Sequence, residues 1–204
     1  SCLLGFLSLQ ATTVLIDFGN AESFRGVSVP DPDPNGNTWN SVKPGQFFSN
    51  LVDITNEETN IDYGPGAHPT DSYNGPAGAT DGGITEVMLL TLDIDREALG
   101  NLGVAEAAID YHAGRLGESA GYFQINGLNP DGTYTLRFFG SHKYNQVDTT
   151  RINVYDDPDR LSRIATEDFT VGNGGSHNTS TVVEFADLAP SPDGIFYIEF
   201  GGSD

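Results

Sequence analysis

The sequence predicts an all-β fold, an antiparallel β-sandwich of the jelly-roll kind with one or two short helices. Three observations lead there. Short apolar runs alternate with a period of two, as strands with one buried face do. Gly, Pro, Asn or Asp bounds almost every run. In the C-terminal half the runs recur at intervals of about 12–16 residues, the spacing of sandwiches rather than of helix-linked parallel sheets.

The elements follow in order. Thr12–Gly19 (TTVLIDFG) is an apolar run closed by Asp17 and Gly19, a strand followed by a turn. Gly121–Leu128 sets Phe123 and Ile125 against Gln124 and Asn126. Asn129–Gly132 (NPDG) is turn chemistry, with Pro fixing φ and Gly allowing it to be positive. Thr133–Gly140 sets Tyr134, Leu136 and Phe138 against Thr135 and Arg137, so these two runs and their turn read as a hairpin. Arg151–Asp157, Arg163–Val171, Ser180–Leu188 and Ile195–Gly201 supply four more strands. Parity points Leu15, Phe123, Ile125, Leu136, Phe138, Val154, Val183, Phe185, Phe196 and Ile198 inward. Gly64–Gly83 has the composition of a surface loop. In Ile84–Gly103, Val87, Leu90 and Ile94 stand at helical spacing and predict a helix for part of the span, although Thr85 and Thr91 suit a strand. A second short helix is expected within Ala105–Ala113.

With 204 residues the chain has the length of one domain. Its hydrophobic share is 37% before its 25 glycines are counted, and 12 Phe, 8 Tyr and one Trp suffice for a core. Against 29 acidic residues stand 9 basic ones, a formal net charge of −20. That balance excludes nucleic acid as an unassisted partner, since phosphates demand clustered Lys and Arg, and it disfavours anionic membranes. A single Cys excludes an intrachain disulfide and a multi-cysteine zinc site.

Ser1–Ala11 (SCLLGFLSLQA) is uncharged and too short to span a bilayer. It matches the end of a secretory signal, with Leu9 and Ala11 at the −3 and −1 positions before Thr12. The same residues could form a core strand, or Cys2 could carry a lipid. On the signal reading, residues 12–204 are one sandwich domain that is exported and not inserted in a membrane. Its C-terminus reads as cut before a last strand.

No nucleophile elbow, phosphate loop or zinc-protease motif is present. His68, His112, His142 and His177 stand far apart and read as loop or surface residues. A glycosidase pair needs two carboxylates meeting in space, and 29 acidic residues give no discrimination. DPDPNGN is more specific. Asp31, Asp33, Asn35 and the backbone of Asn37 alternate oxygens before the tight turn at Gly36, the opening half of a calcium loop. The bidentate Glu of such loops is absent, since Val42 stands in its place, so the segment reads equally as a rigid polar loop. Asp156, Asp157 and Asp159 form a second candidate ion site. Dense surface acid also serves solubility.

Glycan sites set aromatic rings against the apolar face of a sugar and place amides and carboxylates on its hydroxyls. Trp39, between Asn37 and Asn40 in a polar loop, fits that description, with Tyr111 and Tyr144, and with Tyr63 and Tyr73, in other polar loops. A sole Trp is more often core than ligand platform, and Trp39 also suits a plug at one end of a sandwich.

TVLIDFGN, NTWNSV, AAIDY, FQINGLNPDGTYTLRFFGS and VEFADLAPSPDGIFYIEF form an ordered series over most of Thr12–Gly201. The series resembles the secreted bacterial β-sandwich domains that carry a PEP-CTERM sorting tag, and more distantly the galactose-binding-like and malectin-like modules. The chain departs from them in having His142 where an Arg is common after Gly-Ser. The resemblance implies an extracellular jelly roll with glycan or calcium binding, and it brings no catalytic residue. Two functions follow as expectations: a secreted non-catalytic carbohydrate-binding-like module, calcium-stabilised, with a polysaccharide or other glycan as partner; or a structural matrix or adhesion domain of the bacterial envelope.

Overall fold

Alternating apolar residues become strands here because one face of each can be buried against a second layer. The structure, a computed structural model, describes residues 11–18, 29–42, 45–64, 73–74, 94–108, 112–114, 116–117, 120–141 and 147–202. Its strands are β1 (Ile16–Phe18), β2 (Asn40–Val42), β3 (Asp62–Gly64), β4 (Tyr73–Asn74), β5 (His112–Ala113), β6 (Gly121–Asn126), β7 (Tyr134–Phe138), β8 (Asp148–Tyr155), β9 (Arg163–Asn173), β10 (Ser176–His177), β11 (Val183–Leu188) and β12 (Phe196–Gly202). Six of them form one antiparallel sheet in the order β10-β9-β8-β12-β6-β3. The opposing layer is made of two pairs, β1 with β2 in parallel and β7 with β11 antiparallel. The fold is all-β and sandwich-like, as the alternation predicts.

The two layers share one core. Phe123, Ile125, Ile152, Val154, Phe196 and Ile198 come from the large sheet, and Val42, Val183 and Phe185 meet them from the other side. Phe18 lies 5.2 Å from the Phe123 ring, and Tyr134 stands edge-on to Phe196 at 6.1 Å, within the range for paired aromatic rings. Each side chain buried in this way contributes about 1.5–3 kcal/mol relative to exposure. Phe196, Ile198 and Val154 are fully buried. Leu136 and Phe138 pack on the same core while remaining partly exposed.

Three expectations are corrected. The runs flanking Asn129–Gly132 do not form a hairpin: β6 pairs with β12 and β3, and β7 pairs with β11. The reason lies at the turn. Gly127 has a positive φ of 77°, and the Leu128 amide donates to the Gly194 carbonyl, so the chain leaves β6 and crosses to the second layer. Parity survives the error, because Phe123 and Leu136 face one core from opposite layers. Leu15 is buried, but in a smaller cluster with Val29, Trp39 and Val104, while its neighbours Ile16 and Phe18 face the main core. Tyr63 belongs to β3 and not to a loop, and it is fully buried.

The helical expectation narrows to α1 (Arg96–Leu99), capped by the Asp95 carboxylate, which accepts the Ala98 amide at 3.0 Å. Short 3₁₀ turns follow at Gly100–Leu102 and Glu106–Ala108. Ile94 precedes α1, while Val87, Leu90 and Ser1–Gln10 lie outside the described residues. Among the described residues no helix is long and apolar enough to cross a membrane.

Candidate functional site

The loop of alternating oxygens is organised around Asp33. This buried carboxylate accepts the amides of Asn35 (2.7 Å) and Asn37 (2.9 Å) on Oδ1, and on Oδ2 the Asn37 side-chain amide (3.3 Å) and the Trp39 indole N–H (2.9 Å). Both oxygens are thus committed to protein donors, and a cation on Asp33 would have to displace them. Asp31 and Asn35 are exposed. Among the described residues no group of three or more His, Cys, Asp and Glu side chains is placed to hold a metal ion. Trp39 is buried in the smaller cluster, with only 9% of its surface exposed. Asn40 clamps two segments, donating to the Leu15 and Val52 carbonyls and accepting the Val52 amide. These residues hold the fold together.

Burial alone would raise the Asp33 pKa, but the hydrogen bonds from Trp39, Asn37 and Asn35 outweigh it and hold the carboxyl below its ordinary value. A depressed carboxylate adds stability that is present above the unfolded-state pKa of about 3.9 and is lost as pH falls through the folded value. Asp33→Ala is therefore expected to cost about 3 kcal/mol at neutral pH, where charge-assisted bonds and a buried indole N–H lose their partner. Its deficit against the parent should shrink below about pH 4. Urea unfolding of both proteins across that range measures this.

The other sequence candidates scatter. Tyr111 and Tyr144 lie outside the described residues, as do His68 and His142, and Tyr73 lies in β4. His177 Nδ1 stands 3.4 Å from Ser141 Oγ beside a shallow polar depression lined by Asn178 and Thr179. Asp157 caps its own loop by accepting the amides of Leu161 and Ser162.

The structure does gather a cluster on the outer face of the six-stranded sheet. Residues of the parity opposite to the core point there, so β6 contributes Tyr122, Gln124 and Asn126, β12 contributes Tyr197 and Glu199, and β8 contributes Asn153 and Tyr155. Register aligns Gln124, Tyr197 and Tyr155 in one row, with Tyr122, Glu199 and Asn153 in the next. Glu199 binds its neighbours together, accepting Tyr122 OH (3.1 Å) on Oε1 and, on Oε2, the Asn153 amide (2.8 Å) and Tyr155 OH (2.9 Å). Asn153 in turn accepts Thr166 Oγ1 at 2.7 Å. Arg160 folds over the Tyr122 ring, 4.2 Å from its centroid, a cation–π contact.

At the β3 end of this face lies an exposed aromatic ring. Phe47 is 58% exposed, while the adjacent Phe48 pairs with Tyr63 and packs on the core. The Phe47 ring and Gln124 flank Gly64, since an added Cβ there would meet Phe47 Cδ2 at 3.5 Å and Gln124 Cγ at 3.4 Å, ordinary contact distances. Beside it Gln124 Nε2 donates to Asn126 Oδ1 at 2.7 Å, which fixes both amides.

Burial, followed by the bond to Glu199, pushes the Tyr155 phenol up to about 12. Burial and Glu199 also raise Tyr122, and burial and Asp193 raise Tyr197. All three stay neutral near pH 7. Burial lowers Arg160, with Tyr122, Glu199, Tyr155 and Asp157 opposing it.

Sequence reasoning passed over this face because it treated outward positions as solvent positions. Three tyrosines at outward parity on neighbouring strands were the available signal, whereas nothing local marks Phe47, whose ring lies beside residues of β3 and β6 distant in the sequence. Compared with known protein families, curated proteins and solved structures, the chain matches none. Fold and site together describe an all-β module whose outer sheet face buries Tyr155, Tyr197 and Asn153 and exposes the Phe47 ring beside Gln124 and Asn126.

Proposed function

We propose that the chain is a secreted, non-catalytic carbohydrate-binding module that takes polysaccharide on the outer face of its six-stranded sheet. The observation that carries this reading is the exposed Phe47 ring beside the fixed Gln124–Asn126 amide pair. An aromatic ring covers the apolar face of a sugar, and preset amides meet hydroxyls without the entropy cost of ordering them on binding. The platform sits on paired strands whose other face is the main core, so its geometry is held rigidly. The proposed platform stands apart from the Asp33 loop, whose carboxylate oxygens already serve the loop amides and Trp39. The matrix or adhesion reading rests on the sandwich and its acidic surface, a net charge of −20, and names no contact.

Calorimetric titration with a panel of neutral and acidic hexasaccharides, with and without calcium, tests the proposal. Binding of at least one member is expected, and Phe47→Ala should weaken it about tenfold, close to 1.4 kcal/mol. The same variant should keep its melting temperature, since a mostly exposed ring away from caps and core contributes within about 0.5 kcal/mol. Gly64→Val, which pushes the ring aside, should weaken binding similarly. Undiminished binding in both variants would place the ligand elsewhere.

A further inference from the structure

We infer that the Nε–Nη2 edge of Arg160 is a subsite for the carboxylate of an acidic glycan, a uronate unit bound on this outer face. The inference rests on the carbohydrate reading above and names its ligand class.

The molecule itself shows what this edge does elsewhere. Arg151 uses its Nε and Nη2 to grip the Asp168 carboxylate at 2.6 and 2.7 Å, the bidentate geometry that suits guanidinium to carboxylate. Arg137 holds Glu184 through its own Nε at 3.1 Å. On Arg160, Nε and Nη2 are both buried and have no hydrogen-bond partner among the described residues. Donors taken out of water and left unmet oppose folding, and a carboxylate would satisfy both at once.

The acidic groups facing Arg160 are already engaged. Glu199 spends its two oxygens on Tyr122, Tyr155 and Asn153, and Asp157 accepts the Leu161 and Ser162 amides. Two contacts fix the guanidinium: its stack on Tyr122 and the 3.4 Å bond from Nη1 to the Pro158 carbonyl. Arg163 is a further cation on this face, donating to Asn153 Oδ1 at 3.4 Å. Because the free edge lies beneath the surface, entry of a ligand requires a local opening around Arg160. Phe47 lies beside Gly64 of β3 and Gln124 of β6, and the Arg160 guanidinium lies over Tyr122 of that same β6, so one oligosaccharide can reach both.

The experiment titrates the chain with galacturonate, glucuronate and mannuronate hexasaccharides and with their carboxyl-reduced neutral counterparts. A preference of at least tenfold for one uronate over its neutral form is expected. Arg160→Lys keeps the charge but lacks the fork, and Arg160→Gln lacks both; each should erase that preference and change neutral binding less than twofold. Arg160→Lys serves alone if Arg160→Gln does not fold. Equal affinity for acidic and neutral forms with Phe47-dependent binding would overturn the Arg160 subsite and leave the carbohydrate reading standing. A uronate preference that survives both Arg160 substitutions would also overturn it, placing the anion elsewhere. No binding of any oligosaccharide would overturn both.

Discussion

Glu199→Ala is expected to lower the melting temperature by roughly 6–12 °C. This carboxylate is the shared acceptor of Tyr122, Tyr155 and Asn153. Its loss leaves two phenols and an amide without their acceptor, and Asn153 and Tyr155 are buried. Each such group costs about 1–3 kcal/mol when it cannot reach water. Partial solvent access for Glu199 and Tyr122 holds the total near about 3 kcal/mol. At this chain length 1 kcal/mol moves the midpoint by about 2–4 °C. Glu199→Gln should recover part of the loss, since one amide oxygen can still accept. Calorimetric melting of the two variants measures the difference, and equal losses would show that the carboxylate acts by charge and not as an acceptor.

Gly127→Ala should do more damage, about 4 kcal/mol, in the far tail of single substitutions. Gly127 adopts a φ of 77°, and a Cβ there would run into the Asn60 carbonyl. Both the left-handed backbone and the close approach belong to the point where the chain leaves the large sheet for β7. The variant is expected to fold weakly, with a urea midpoint well below that of the parent. A midpoint within a few tenths molar of the parent would mean that the crossing can be rebuilt at little cost.

That crossing also shows where sequence reasoning stops. Alternation placed Phe123 and Ile125 on a buried face, because a period of two is a local property. It could not tell that the next run belongs to the other layer, because pairing is decided by contacts such as Leu128 with Gly194, distant in the sequence. Trp39 shows the same limit for the site. Its polar neighbours suggested a platform, yet Asn37 donates to Asp33, which also accepts the indole N–H, and Asn40 clamps the Leu15 and Val52 backbone. Phe47 was invisible for the opposite reason, since its ring is set beside Gly64 and Gln124, residues distant from it in the sequence. The acidic loop was legible as a loop, while the role of its oxygens became clear only from which donors reach them.

The most direct test of the outer face as the carbohydrate site is amide chemical-shift mapping during titration with the hexasaccharide that binds best. The side-chain amide signals of Gln124 and Asn126 and the backbone signals around Phe47 and Tyr197 should move progressively, while the Trp39 indole N–H stays in place. Movement of the Trp39 indole and the Asn35–Asn37 amides, with Gln124 and Asn126 unmoved, would contradict the account and return the ligand to the loop around Asp33.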